Sequence, residues 1–340
     1  MNQDQISLLQ QLLDSPKKIV VIGHKNPDGD AVGSCLGLSG YLNSLGHNSR
    51  VIMPNDFPKF LKWLPDCDKV IIYEQQQERA QRMLTQADLI FTLDFNALNR
   101  TGDLGVLLEQ AQADFVMVDH HQQPDDYAKV TISDPTMSST AEMVFHLIHA
   151  LEGESYIDAD LATNLYTGIM TDTGSFRFPS TTAVTHRAIA SLIEKGANGS
   201  DIHRAIYDTN RPEKLKLLGT ALENMVHLPE FRTAYITLSQ KELDDHNFKK
   251  GDTEGFVNYA LSLNEVILAA IFIENKQESI TKISLRSTGS FSVNEMARTH
   301  FNGGGHINAA GGRSVKSLPD TVADFLAILP TYQNALNDTN

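Results

Sequence analysis

The chain has 340 residues, 41% hydrophobic and 21% charged, which fits two globular domains of ordinary size and excludes a low-complexity or disordered polymer. Its formal net charge of −14 argues against a basic stripe built to grip long duplex DNA, although divalent cations would offset part of that charge and still admit a short anionic substrate. Two cysteines, Cys35 and Cys67, exclude a disulfide framework and a cysteine zinc site. Residues 1–13 lack a basic start followed by an apolar core, and no run nears roughly 18 uninterrupted apolar residues, so the reading is a cytoplasmic protein without a membrane segment.

From residue 17 to about 172, short apolar runs alternate with helical patterns. Runs at 18–23, 50–53, 70–73, 89–94 and 115–119 read as strands, and 31–45, 75–86 and 104–112 read as helices. This is the βαβ signature of an α/β fold with a doubly wound, mostly parallel sheet. Helical patterns dominate from 139 to about 226, broken at Pro179, 196–200 and Pro212. A new pattern begins near Arg232, where strand runs at 233–238, 267–273 and 280–286 are separated by helix-like segments at 255–262 and 293–299. It predicts a smaller mixed α/β domain. The chain thus reads as a metal-bearing domain at 1–190, a helical connector at 191–228, a substrate-binding domain at 229–335 and a polar tail at 336–340, with no internal repeat.

The first strand runs straight into His24-Lys25-Asn26-Pro27-Asp28-Gly29-Asp30, so one imidazole and two carboxylates leave its C-terminal end together. Asp94 and Asp119 end two further strands, the second followed by His120 and His121, and in an open α/β sheet such ends meet at one crevice. Any one of these aspartates alone fits a helix cap, and Asp30 is placed to cap the helix beginning at Ala31. Together with Asp172 they make at least two imidazoles and four carboxylates, enough for two divalent ions. A pair of ions about 3.5–4 Å apart activates a bridging water and neutralises the attacked phosphoryl group, so phosphoester hydrolysis is the expected reaction. Mixed imidazole and carboxylate ligands favour manganese, iron, cobalt or zinc over calcium; we expect Mn2+, with Mg2+ or Co2+ as substitutes.

These residues resemble the DHH phosphoesterase family, named for the triplet Asp119-His120-His121. The four family motifs occur in order, as residues 24–30, Asp94, 119–121 and Asp172. The resemblance continues through Ile283-Ser284-Leu285-Arg286-Ser287 and Gly303-Gly304-Gly305-His306-Ile307-Asn308-Ala309-Ala310-Gly311-Gly312 of the DHH-associated C-terminal domain. It implies that His24, Asp28 and Asp94 hold one metal and that Asp30, Asp94, His120 and Asp172 hold the other, with Asp94 as the bridge. Asp119 would orient a histidine and His121 would face the substrate phosphate, which makes Asp94, Asp119 and His121 the catalytic set. Three glycines alone read as a flexible turn; followed by His306, they let a phosphate approach bare backbone. Similar loops in the family clamp the far end of the substrate, so Gly303, Gly304, Gly305 and His306 are expected to bind it, with Arg286 as a bidentate phosphate clamp.

Arg177 reads equally well as a helix-end arginine and as a site residue. His146, His149, His186, His203, His227 and His246 lack ligand spacing and read as structural or exposed, and Trp63 and Phe60 as a loop anchor. Within the family, RecJ-type exonucleases add an oligonucleotide-binding domain, family II pyrophosphatases lack the 303–312 pattern, and membrane-bound cyclic dinucleotide phosphodiesterases need spanning and sensor segments. What remains resembles the short bacterial group that degrades oligoribonucleotides of a few residues and dephosphorylates 3′-phosphoadenosine 5′-phosphate (pAp). The implied partners are short RNA oligonucleotides and bisphosphate nucleotides, gripped between a metal wall and the glycine loop, and the reading leaves room for a homodimer. The alternatives are a cyclic di-AMP or pApA phosphodiesterase, an exopolyphosphatase, and a nucleotide-binding module without turnover.

Overall fold

A computed structural model of the chain describes residues 2–339. Two compact units divide between Thr209 and Asn210. Met1 and Asn340, the latter the end of the expected polar tail, lie outside the described residues.

The first unit is built on six parallel strands: β1 (Lys18–Ile22), β2 (Asn48–Met53), β3 (Ile71–Ile72), β4 (Leu89–Leu93), β5 (Asp114–Asp119) and β6 (Val130–Ser133). They are ordered β3-β2-β1-β4-β5-β6, and every pair is parallel. Strands covered by helices on both faces must be apolar throughout, and β4 is buried at all five residues. One face packs Val20, Ile22, Ile52 and Ile90 against Ala80 and Leu84 of helix Gln77–Gln86 and Leu104 and Leu108 of helix Leu104–Glu109. The other face packs Val21, Phe91 and Val118 against helices Gly29–Ser44 and Thr140–Ala150, with helix Ala159–Asp172 adding Leu161 and Leu165 to the same core. The chain reverses direction of growth between β1 and β4, the switch point at which doubly wound sheets open a crevice at their carboxyl ends.

Two elements here escape the sequence pattern. Strand β6 is only four residues long and follows a polar stretch, and helix Gln3–Leu12 shows only scattered leucines. That helix is started by a capping box between Asn2 and Gln5 and is held by burying Ile6 and Leu9.

The second unit is also six-stranded, from β7 (Val226–Leu228), β8 (Thr233–Leu238), β9 (Leu268–Asn275), β10 (Ile280–Ser287), β11 (Gly304–Gly305) and β12 (Ala309–Ser314), in the order β11-β12-β10-β9-β8-β7. Only β8 and β9 are parallel, so the sheet is mixed. Alternate residues of β9 face opposite sides. Leu268, Ala270 and Phe272 meet Met296 of helix Val293–His300 and Phe325, Leu329 and Leu336 of helix Leu318–Asp338, whereas Ala269 and Ile271 meet Leu217, Leu243 and Phe256.

Two segments differ from the sequence reading. The glycine run is not an open loop: β11 and β12 form an antiparallel hairpin in which Gly304 pairs with Gly311 and Gly305 with Ala310. A side chain at Gly303 would stand 1.9 Å from the Gly311 carbonyl oxygen, so glycine is required by backbone approach there. The expected polar tail continues helix Leu318–Asp338, because Leu336 is fully buried in the core and stabilises the last turn.

Candidate metal centre

The crevice at the β1–β4 switch point collects the charged residues. His24 and Asp28 lie in the loop leaving β1, Asp30 in the first turn of helix Gly29–Ser44, Asp94 directly after β4, and Asp119 at the end of β5, ahead of His120 and His121. Asp172 comes from the opposite direction, as the last residue of helix Ala159–Asp172. Small residues bring that helix in. A side chain at Gly33 would stand 2.5 Å from the Asn164 carbonyl oxygen, and one at Gly168 would stand 2.5 Å from Ala141 Cβ and 3.0 Å from Asp30 Oδ1.

Three groups of ligand-type atoms result within the first unit, one of them Asp94, Asp119 and His121. His24, Asp28 and Asp94 each offer an atom within 4.8 Å of the others, and so do Asp30, His120 and Asp172. Asp94 lies between them: its Oδ2 is 3.4 Å from His24 Nε2 and its Oδ1 is 3.5 Å from His120 Nε2. His120 Nε2 is also 3.7 Å from Asp30 Oδ2 and 3.5 Å from Asp172 Oδ2. Asp94 has a left-handed backbone, φ +64, which a non-glycine residue adopts at a cost and which the site turns to use by aiming the carboxylate between the two groups.

The tautomers are set by carbonyl oxygens, which can only accept. His24 Nδ1 donates to Lys25 O at 2.9 Å and His120 Nδ1 donates to Met137 O at 3.2 Å, so each Nε2 faces the carboxylates with its lone pair available in the neutral ring. His121 Nδ1 donates to Asp119 Oδ1 at 2.7 Å, and that nitrogen is 3.8 Å from Asp94 Oδ1. Asp119 therefore holds the His121 ring.

The helix cap is Asp28, not Asp30: Asp28 Oδ1 accepts from the amides of Asp30 and Ala31 at 3.0 and 3.1 Å. Asp30 instead accepts from the amides of Thr140 and Ala141, at 2.7 and 2.8 Å, at the start of helix Thr140–Ala150. The positive end of that helix is the backbone's contribution to holding a buried carboxylate.

Asp30, Asp94 and Asp119 are all buried, and no lysine or arginine forms an ion pair with these or with Asp28 or Asp172 among the described residues. Protons answer the excess charge. Burial and then the Asp94 and Asp172 carboxylates push Asp30 well above the usual carboxylate range. Burial and the neighbouring Asp28 and Asp94 lift Asp172 to about 6 against the pull of His120. Burial opposes charge on His24, but the hydrogen bond to Asp94 and the charges of Asp28 and Asp94 prevail and raise it to about 9; His120 is raised well above its ordinary value in the same way. Burial also works against charge on Asp94, yet the hydrogen bonds from His120 and His24 hold it well below the usual range. Oxygen and imidazole donors with unbalanced negative charge fit divalent cations of the manganese, iron, cobalt and zinc type.

Sequence reasoning missed the segment that supports this cluster. Thr140 donates its hydroxyl to Asp94 Oδ1 at 3.1 Å as well as its amide to Asp30. The only trace in the sequence is Ser139-Thr140-Ala141-Glu142, a helix-start pattern in which Ser139 accepts from the Glu142 amide. In the second unit, Arg286 lies half-buried on β10 opposite Ala309 and donates to Leu285 O, and His306 turns the hairpin, its amide bonded to Ala309 O. Asn294 Oδ1 accepts from the Gly305 amide and ties the hairpin to helix Val293–His300.

Comparison with known proteins gives two matched models: the DHH family N-terminal domain over residues 18–169 and the DHHA1 domain over residues 232–334. The crystal structure of an exopolyphosphatase-related protein from Bacteroides fragilis superposes with a TM-score of 0.95, at 38% identity, covering 99% of this chain and 98% of that one. Among sequence relatives, the bifunctional oligoribonuclease and PAP phosphatase NrnA of Thermus thermophilus is 29% identical over 293 residues, 86% of this chain and 83% of its own. The Bacillus subtilis protein of the same name is 26% identical over 296 residues, 86% of this chain and 88% of its own.

Proposed function

The chain belongs to the DHH phosphoesterase family, and from that membership we propose that it is a manganese-dependent phosphoesterase that hydrolyses short oligoribonucleotides to mononucleotides and dephosphorylates pAp. The observation that carries the reading is the buried Asp94 carboxylate, with one oxygen turned to the His24 and Asp28 group and the other to the His120 group.

His24, Asp28 and Asp94 would hold one ion and Asp30, Asp94, His120 and Asp172 a second. Two such ions, when bound, supply Lewis-acid neutralisation of the phosphoryl oxygens and a nucleophile near neutral pH. The protein's own share is orientation and charge. Asp119 accepts from His121 Nδ1, which leaves Nε2 as the nitrogen that would face the substrate phosphate. Arg286 and the backbone of Gly303, Gly304 and Gly305, with His306, would take the far end of a short substrate. Residues 1–190 would carry the metals, 191–228 connect, and 229–335 bind substrate, in a protein working in the cytoplasm. Among the described residues no helix is long and apolar enough to cross a membrane.

The test is product release by the purified chain, with Mn2+ or with chelator, from a 5′-phosphorylated RNA dinucleotide, pAp, cyclic di-AMP, linear pApA and polyphosphate in parallel. Mn2+-dependent release from the dinucleotide and pAp is expected, with competition by adenosine monophosphate. Preference for cyclic di-AMP or polyphosphate would reassign the substrate, and inactivity on all five would leave a binding module.

A further inference from the structure

Segment 137–141 touches three of the proposed metal ligands at once. The Met137 carbonyl accepts from His120 Nδ1, the amides of Thr140 and Ala141 donate to the two oxygens of Asp30, and the Thr140 hydroxyl donates to Asp94. The segment is therefore a single piece of backbone on which the orientation of a ring and two carboxylates depends. None of its atoms needs to touch a metal to control the geometry of both groups.

The segment is joined to a buried acid outside the cluster. Glu142, 1% exposed, accepts a hydrogen bond from the Ser138 hydroxyl through Oε2, and the same oxygen accepts from Thr185 Oγ1 at 3.0 Å. Its other oxygen is 3.5 Å from His146 Nε2, one turn along its own helix. Its amide donates to Ser139 Oγ at 3.0 Å. Ser138, Ser139 and Thr140 are buried, so the hydroxyls are not held by bulk water. A helix cap needs only Ser139. A buried glutamate joined to Ser138, before the helix, and to Thr185, on helix Ala183–Glu194, exceeds what capping requires.

We propose that Glu142 is a positioning residue for the metal centre, acting through Ser138 to hold segment 137–141 and so to aim His120, Asp30 and Asp94. The inference rests on the metal reading above and adds a residue that touches neither metal nor substrate. Groups hydrogen-bonded directly to metal ligands affect metal affinity by about 10–100-fold, and Glu142 acts on the segment that supplies those groups. Thr185 binds the same carboxylate oxygen from helix Ala183–Glu194, outside the segment, so its loss leaves the Glu142 link to Ser138 in place.

The test measures Mn2+ affinity by calorimetry and cooperative melting without metal, on the parent chain and on Ser138→Ala, Glu142→Ala, Glu142→Gln and Thr185→Val. Ser138→Ala and Glu142→Ala are expected to weaken Mn2+ binding about tenfold or more. Glu142→Gln, which keeps an acceptor for Ser138, should recover most of it. Thr185→Val should melt earlier but bind Mn2+ within threefold of the parent. Ser138→Ala removes one oxygen from a small side chain, so it decides the matter if Glu142→Ala does not fold. A folded Ser138→Ala chain that binds Mn2+ within threefold of the parent overturns the proposal. A parent chain that binds no Mn2+ overturns the metal reading itself, and this inference with it.

Discussion

Proton competition at single residues sets the conditions under which the centre can fill. Metal ligation requires a carboxylate at Asp172 and a neutral ring at His24, yet without metal these groups hold protons up to about pH 6 and about pH 9. The sign follows directly: each raised value means a proton that a cation must displace, so affinity rises with pH. His24 gives up its proton between pH 6 and 9, the raised His120 and Asp30 add protons of their own to be displaced, and below 6 that of Asp172 joins them. We expect Mn2+ affinity to climb at least about tenfold per pH unit between 6.5 and 8, with one or more protons released, read by calorimetry in buffers of different ionisation enthalpy. An affinity flat across that range would mean that neither His24 nor His120 is a ligand. The residue types of this site are plain in the sequence, because His24, Asp28 and Asp30 share one short loop and His120 and His121 are adjacent. Which carboxylate caps the helix and which is turned inward is not, since Asp28 and Asp30 are chemically alike and only the amides of Thr140 and Ala141 distinguish them.

At the level of elements, the centre depends on two helices meeting without side chains between them. Gly168, on helix Ala159–Asp172, faces Ala141 and Asp30 at distances that leave no room for a methyl group. Gly168→Ala must push that helix, and Asp172 at its end, away from Asp30. A loss of about 1–3 kcal/mol is expected from overpacking, seen as a lower melting temperature, together with weaker Mn2+ binding. Gly219, on helix Pro212–Glu223, has no neighbour within 4 Å of the position a methyl group would take and serves as the control: Gly219→Ala should not lower the melting temperature. The strands at 18–22 and 89–93 are legible as apolar runs because both faces of a doubly wound sheet are covered. Strands β11 and β12 are not, because Gly304, Gly305, Gly311 and Gly312 carry no side chains whose alternation could announce a strand.

For the molecule as a whole, the reading assigns chemistry to the first unit and substrate grip to the second. Asp94→Ala should lower kcat by at least about a thousandfold, as removal of a group essential to the reacting centre does. His306→Ala should raise KM about tenfold with kcat largely kept, the scale of one lost charge-assisted hydrogen bond. Steady-state kinetics on pAp and a dinucleotide separate the two, and equal effects on kcat would abolish the division of labour. By itself the sequence determined the α/β class, the two sheets and the residues with metal-binding chemistry, because apolar periodicity and side-chain type are local properties. Only the tertiary structure decided that Asp172 approaches Asp30 across glycine-lined helices, that Asp94 turns between two groups, and that Glu142 accepts the Ser138 hydroxyl. Those relations join residues as much as 142 positions apart in the chain, from Asp30 to Asp172, and their energies arise from backbone approach and burial that no local pattern records.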